Sequence, residues 1–217
     1  YSLGFDGGVF AGGAVAYIGG RKIHERLFSQ DESDAVISFC RERGYSILVQ
    51  TDEGTYMSQE TFDLWSSLLQ EKAGISVSLS GIAISPSFPP DARISKFLYI
   101  SPDGRIDEIR SSLGPRFSVI DNTVGLPADL MGEVVLSSIS KLTGIEAIER
   151  ESQERSFVVA VGDGANDAEM IEAADLGIAM GNASQGLKNA ADYVSSDVCH
   201  DGILNAVIYS IDYYIRN

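Results

Sequence analysis

The spacing of apolar residues predicts two helices in the first third of the chain. Apolar side chains recur at helical intervals from Asp31 to Arg43 and again from Thr61 to Lys72, and a glycine closely follows each stretch. The first stretch is preceded by Ser29-x-x-Glu32, the pattern of a capping box. We therefore expect two amphipathic helices, each with one buried face.

Short apolar runs in the middle of the chain predict strands. They lie at Ile47 to Val49, Phe97 to Ile100 and Phe117 to Ile120, and a short acidic helix is expected around Asp107. A further helix is predicted from about Asp129 to Leu142. The middle region is thus expected to be a mixed α/β unit.

Strands and helices alternate in the last third of the chain. Phe157 to Val161 is an uninterrupted apolar run, which is typical of a parallel strand covered on both faces. Further strands are predicted at Leu176 to Ala179 and Tyr193 to Val194, with a closing helix from Ile203 to Ile215. This alternation predicts a parallel, doubly wound α/β sheet.

Composition narrows the class of protein. Of the 217 residues, 44% are hydrophobic and 22% are charged, as in a globular protein with a sizeable core. A net charge of −15 disfavours binding to a nucleic-acid backbone. Without an apolar run long enough for a membrane span or a signal sequence, a cytoplasmic location is expected. Cys40, Cys199, His24 and His200 are too far apart for a zinc or disulfide framework.

The segment that carries chemistry is Gly-Asp-Gly-Ala-Asn-Asp, residues 162–167, directly after the buried run. Ligands of open α/β sheets bind where strands end and helices begin. Asp163 can offer Mg²⁺ a carboxylate oxygen there. Asn166 and Asp167 fall in the first turn of the next helix, where free N–H groups favour phosphate. A purely structural alternative stays open, in which these residues only form a turn and a helix cap.

The sequence from Gly162 onward, GDGANDAEMIEAADLGIAMGNASQGLKNAADYVSSDVCHDGI, resembles the fourth motif of haloacid dehalogenase (HAD) superfamily hydrolases, in particular the Cof-type phosphatases of subfamily IIB. The resemblance implies that Asp163 and Asp167 belong to the catalytic site. Asp163 would coordinate Mg²⁺, Asn166 would contact the phosphate, and Asp167 would support the site. Gly164 would lend its backbone to the metal surroundings.

The resemblance also implies a domain organisation. Residues 1–17 and 121–217 would form a HAD-like Rossmannoid core, and residues 18–120 would form an inserted α/β cap domain. Within this cap, Phe62, Trp65 and Phe88 are expected to lie in the core rather than in a substrate pocket.

Three departures from the family pattern bear on activity. The nucleophile motif Asp-x-Asp-Gly-Thr is absent, and Asp6 is a poor substitute because Gly8 stands two positions later. We expect the nucleophile, and the second motif with its Ser or Thr, to precede Tyr1. Met131 stands where the predicted helix should carry the lysine of the third motif. Lys141, at the far end of that helix, is expected to be too distant to substitute for it.

The leading hypothesis is a Mg²⁺-dependent phosphatase of small phosphorylated metabolites, such as sugar phosphates, acting through an aspartyl-phosphate in the intact parent. One alternative is a binding or regulatory protein with the same fold and impaired catalysis. Another is the phosphorylation domain of a cation-transporting ATPase, which carries a similar Gly-Asp-Gly-x-Asn-Asp loop. The partner expected in the leading case is a small phosphorylated substrate.

Overall fold

The fold is described here from a computed structural model, which covers residues 4–89, 91–101, 106–121, 130–152 and 156–217. The chain divides into two compact units. The first contains Tyr1–Glu25 and Ile139–Asn217, and the second contains Arg26–Ser138.

The first unit begins with a small antiparallel sheet. Its strands are β1 (Gly7–Phe10), β2 (Val15–Ile18) and β3 (Arg21–Glu25), in the order β1-β2-β3. Ala14 and Ala16 on this hairpin are fully buried.

The second unit is a six-stranded sheet with helices. In chain order its elements are α1 (Gln30–Glu42), β4 (Ser46–Thr51), β5 (Thr55–Met57), α2 (Gln59–Ala73), β6 (Ile82–Ile84), β7 (Ile94–Ile100), α3 (Ile106–Ser112), β8 (Phe117–Asp121) and β9 (Met131–Leu136). The strand order is β6-β5-β4-β7-β9-β8, with only β5 and β6 parallel. The two predicted helices of this unit are confirmed as α1 and α2.

The start of α1 shows why the sequence pattern was informative there. The Ser29 hydroxyl accepts a hydrogen bond from the Glu32 N–H at 3.3 Å, and the Glu32 carboxylate accepts one from the Ser29 N–H at 2.8 Å. This reciprocal capping box satisfies two donors that the helix cannot pair internally.

The helix predicted from Asp129 to Leu142 is wrong. Residues 122–129 lie outside the described residues, and Met131–Leu136 forms β9, which pairs with β7 and β8. Met131, Val134 and Leu136 are almost fully buried in this strand. The run Met-Gly-Glu-Val-Val-Leu favours a strand because β-branched residues pack well on a pleated sheet and glycine disfavours a helix.

The aromatic residues of the second unit divide into two groups. Phe62 and Trp65 pack against an apolar cluster that includes Leu48 and Met57, as expected for core residues. Phe88 instead lines a cavity of about 780 Å³ within this unit.

The rest of the first unit alternates helices and strands. Its elements are α4 (Lys141–Glu151), β10 (Val159–Gly162), α5 (Ala168–Ala173), β11 (Leu176–Ala179), α6 (Gln185–Ala190), β12 (Tyr193–Val194) and α7 (Gly202–Arg216). The strands form a parallel sheet in the order β10-β11-β12. The predicted parallel α/β sheet is therefore confirmed.

Both faces of this parallel sheet are covered. Ala160 and Ala179 pack against α5 and α6, and Leu176 and Ile178 pack against Ala206 of α7. All four residues of β11 are buried. Burial on both faces explains why β11 contains no polar side chain.

The unit boundaries differ from the predicted ones. The first boundary lies after Glu25 rather than after Tyr17, and the second lies after Ser138 rather than after Ile120. The shift has a simple cause: β3 pairs with β2 in the first unit, and β9 belongs to the sheet of the second. That the second unit acts as a cap stays a prediction.

Among the helices within the described residues, none has the length and apolar character needed to cross a bilayer.

Candidate active site

The candidate site lies where the parallel strands end. Gly162 of β10 is in register with Ala179 of β11, and Ala179 is in register with Val194 of β12. The chain segments that follow these three residues therefore emerge side by side at one edge of the sheet. This edge is where open α/β sheets bind ligands. Asp163 is the first residue after β10.

Asp167 organises the loop that follows β10. The residue is buried, and its Oδ2 accepts hydrogen bonds from the N–H groups of Asp163 at 3.0 Å and Gly164 at 2.9 Å. A Cβ on Gly162 would lie 2.5 Å from the Asp167 Cβ, so only glycine lets the carboxylate come this close. Asp167 thus holds the turn that presents Asp163, and its role in catalysis stays a prediction.

Lys141 pairs with this buried carboxylate. It is the first residue of α4, and its Nζ hydrogen-bonds to Oδ1 of Asp167. The Lys141 side chain is 37% exposed, whereas that of Asp167 is 4% exposed. The ammonium therefore reaches from the surface into the site and compensates a charge that would otherwise be buried alone.

The expectation that Met131 replaces the cation is wrong, as is the judgement that Lys141 is too distant. Both errors follow from treating Met131 and Lys141 as members of one helix. Met131 is 0% exposed in β9, and Lys141 opens a separate helix in the other unit. The start of that helix is marked by Thr143, whose hydroxyl accepts a hydrogen bond from the Ser140 N–H at 3.1 Å.

Asp163 is exposed and has one carboxylate oxygen engaged. Its Oδ2 accepts a hydrogen bond from the Asn182 side-chain amide at 2.8 Å. Within the described residues, the other oxygen takes no hydrogen bond. A hard carboxylate oxygen with free lone pairs is what Mg²⁺ binds, so Asp163 fits the expected role of metal ligand. The described residues contain no cluster of three or more His, Cys, Asp or Glu side chains that could hold a metal by themselves.

Asn166 lies in the short 3₁₀ turn that links β10 to α5, and Gly164 directly precedes that turn. The turn spans Ala165–Asp167, and the Gly164 carbonyl accepts the Asp167 N–H at 3.0 Å. The Asn166 side chain is exposed and makes no hydrogen bond within the parts of the chain that the structure describes. It is therefore free to meet a ligand. The roles of both residues stay predictions.

The segment after β12 adds a second acidic group near this edge. Asp197 accepts a hydrogen bond from the Cys199 N–H at 2.8 Å and pairs with Nδ1 of His200 at 2.7 Å. The hydrogen bond from His200 and the backbone bond from Cys199 hold the pKa of Asp197 below its ordinary value, although burial acts in the opposite direction. Asp197 is therefore a carboxylate at neutral pH.

Asp6, the only early aspartate, lies elsewhere. It precedes β1 in the antiparallel sheet, and its carbonyl accepts a hydrogen bond from the Gly19 N–H at 2.7 Å. The structure therefore gives it a backbone role in the hairpin.

Sequence reasoning missed Lys141 and Asn182. A signal existed for each: Ser140-x-x-Thr143 marks the start of a helix at Lys141, and Asn182 directly follows Met180-Gly181 at the end of an apolar strand. Neither signal shows which carboxylate the side chain reaches, because that depends on how the elements pack.

Comparison with known proteins identifies the family. Residues 2–207 match the family model described as haloacid dehalogenase-like hydrolase. The structure also resembles BT1666 from Bacteroides thetaiotaomicron, a protein described among phosphatases of the HAD superfamily. The TM-score is 0.75 with 20% sequence identity, over 96% of this chain and 75% of that one. At this identity the likeness bears on the fold.

Several curated relatives are named as phosphatases, and two of them illustrate the match. A phosphoglycolate phosphatase of Methanosarcina mazei is 42% identical over 69 residues, which is 32% of this chain and 28% of that protein. The 5-amino-6-(5-phospho-D-ribitylamino)uracil phosphatase YcsE of Bacillus subtilis is 30% identical over 124 residues, which is 55% of this chain and 49% of that protein. The chain thus aligns with less than half of each relative.

A cation-transporting ATPase also matches about a third of this chain. Sodium/potassium exporting P-type ATPase 1 of Saccharomyces cerevisiae is 40% identical over 75 residues, which is 34% of this chain and 7% of that protein. The family model, in contrast, matches nearly the whole chain. The fold agrees with this match, and Lys141 pairs with the buried aspartate of the acidic loop. The chain therefore belongs to the haloacid dehalogenase-like hydrolase family.

Proposed function

We propose that the chain is the larger part of a Mg²⁺-dependent phosphatase that acts on small phosphorylated metabolites, such as sugar phosphates, through an aspartyl-phosphate in the intact parent. The observation that carries the proposal is the pair formed by Lys141 and the buried Asp167 beneath an exposed Asp163. A cation and a carboxylate with one open oxygen lie there, on a loop whose backbone is held by Asp167.

Each residue has a distinct task in this proposal. Asp163 would hold Mg²⁺, which supplies positive charge that stabilises the transferring phosphoryl group. Asp167 holds the loop and orients the Lys141 ammonium, while the amide of Asn166 donates to phosphate. Such preorganised donors act where charge accumulates in the transition state.

The structure weakens one of the two arguments for a catalytically impaired protein, the other being the missing nucleophile motif. That alternative was based in part on Met131 standing in for a lysine, whereas Lys141 lies beside Asp167. The ATPase alternative has the weaker support, because the ATPase match is confined to 75 residues and the hydrolase family model spans residues 2–207.

The proposal is tested by phosphate release from p-nitrophenyl phosphate and from a panel of sugar phosphates, using the intact protein. We expect activity that chelation of Mg²⁺ abolishes and that Asp163→Ala reduces by about 100- to 1000-fold, as removal of one charge-stabilising group commonly does. Asp212→Ala is the matched control, because Asp212 is an exposed carboxylate on α7. A folded intact protein without turnover on any substrate would support the binding or regulatory alternative instead.

A further inference from the structure

Asn182 joins the segments that follow the three parallel strands. It lies in the turn after β11, and its side-chain Nδ2 donates to Oδ2 of Asp163 at 2.8 Å. Its Oδ1 accepts a hydrogen bond from the Val198 N–H, in the segment after β12, at 3.2 Å. One amide therefore connects the loop after β10 to the loop after β12.

The backbone around Asn182 is fixed by close packing. The Gly181 N–H donates to the Ser196 carbonyl at 3.0 Å. A Cβ on Gly181 would lie 2.5 Å from the Asp197 nitrogen, so the two segments touch at a position where no side chain fits. The turn that presents the Val198 N–H is itself held by the hydrogen bond from Cys199 to Asp197.

These contacts determine which way the Asn182 amide points. An asparagine amide has a donor on one side and an acceptor on the other. Rotating it by half a turn would place its oxygen against the Asp163 carboxylate and its NH₂ group against the Val198 N–H. Both hydrogen bonds would be replaced by repulsive contacts, so the NH₂ group stays directed at Asp163.

We propose that Asn182 is a positioning residue for the metal site, and this inference rests on the proposed role of Asp163 as metal ligand. By holding Oδ2, Asn182 keeps the exposed Asp163 side chain in one rotamer and leaves Oδ1 available to the ion. The backbone of Val198 determines the orientation of Asn182. Partners that orient a metal ligand in this way typically account for about 10- to 100-fold in metal affinity or activity.

The test measures binding of Mn²⁺ alone, a paramagnetic substitute for Mg²⁺, by water proton relaxation. We expect Asn182→Ala to raise the Kd for Mn²⁺ by about 10- to 100-fold. Asn189→Ala is the matched control: Asn189 is an exposed asparagine on α6 whose hydrogen bond comes from Gln185. It should leave the Kd unchanged. Thermal unfolding followed by circular dichroism shows whether both variants are folded, and Asn182→Ser repeats the test if Asn182→Ala is not.

Three outcomes separate the inference from the proposed function. A weaker Kd in Asn182→Ala, with an unfolding midpoint close to that of Asn189→Ala, supports positioning of the ligand. If Asp163→Ala abolishes binding but Asn182→Ala binds like wild type, the role of Asn182 is refuted and the metal site stands. Equal binding by wild type and Asp163→Ala would refute the metal site and the role of Asn182 together.

In the intact protein, the same variant should change the dependence on Mg²⁺ specifically. We expect Asn182→Ala to raise the Mg²⁺ concentration that gives half-maximal phosphatase activity by about 10- to 100-fold, with the KM for p-nitrophenyl phosphate unchanged at saturating Mg²⁺. A purely structural role would instead lower the thermal midpoint and leave the Mg²⁺ requirement as it is.

Discussion

Replacing Lys141 by methionine removes the cation that faces Asp167 and keeps most of the side-chain volume. Breaking a fully buried ion pair costs about 3–5 kcal/mol, whereas an exposed pair contributes about 0–1 kcal/mol. The pair here lies between these limits, because Asp167 is 4% exposed and Lys141 is 37% exposed. The amides of Asp163 and Gly164 still bond to Asp167 in the variant. We therefore expect Lys141→Met to lower the free energy of unfolding by about 1–2 kcal/mol.

Urea unfolding followed by circular dichroism measures this change, with Lys188→Met as the matched control. Lys188 lies on α6 and makes no ion pair within the described residues. A double-mutant cycle with Asp167→Asn isolates the pair itself, and we expect a coupling energy of about 1–2 kcal/mol. In the intact protein, Lys141→Met should also lower kcat by about 100- to 1000-fold, because a charge beside the phosphate is lost.

The reasoning would be refuted by a specific pair of results. A coupling energy below about 0.3 kcal/mol would fall within the additivity expected of independent sites. If Lys141→Met were also as stable and as active as Lys188→Met, the contact between Lys141 and Asp167 would have no energetic or catalytic role. The unfolding measurement and the activity measurement test the two parts of the claim separately.

Two further predictions concern groups outside the site. Hydrogen bonds from Arg26 hold the pKa of Glu32 at about 2, below its ordinary value of 4.5, so its stabilising contribution is present above about pH 4.5 and is lost as the pH falls towards 2. The stability advantage of wild type over Glu32→Gln should thus shrink by about 1–2 kcal/mol between about pH 5 and pH 2.5, and a constant difference in acid titrations of unfolding would contradict it. Burial raises the pKa of Cys40 to about 12, whereas Cys199 is exposed. A chromogenic disulfide reagent should label one thiol rapidly in the folded protein, and rapid labelling of both would show that Cys40 is accessible.

The parts of the fold that sequence predicted well are those decided by local chemistry. The capping box at Ser29 and Glu32 forms as expected, and the end of the apolar run belongs to β10 of the parallel sheet, where Ala160 and Val161 pack in clusters on opposite faces. Phe157 and Val159, at the start of the run, are exposed instead. The acidic loop is local too, because Asp167 bonds to amides only three and four residues away. Neighbours in sequence were sufficient to predict these features.

The parts that sequence did not predict depend on distant pairing. Local composition favours an extended conformation for residues 131–136 without deciding it, and their pairing with β7 on one side and β8 on the other makes them β9. Because this segment was predicted to be helical, Lys141 was assigned to the end of that predicted helix, whereas it is the first residue of α4. Assigning a helical period to this segment therefore misplaced the predicted boundary between the two units. It also left Lys141 unrecognised as the cation that pairs with Asp167.

The role of Asn182 illustrates a general consequence of parallel sheets for reading a site. Strands β10, β11 and β12 end level with one another, so the residues just after Gly162, Ala179 and Val194 are neighbours despite their separation in sequence. A polar side chain in one of these segments can therefore reach a group of the adjacent segment, as Asn182 reaches Asp163 and the Val198 N–H. Once a functional aspartate is recognised after one strand, the residues after the next two strands are the places to look for the groups that orient it. Asn182 and the Val198 N–H occupy those places, which is why the alignment of strand ends, rather than the motif alone, determines how Asp163 is presented.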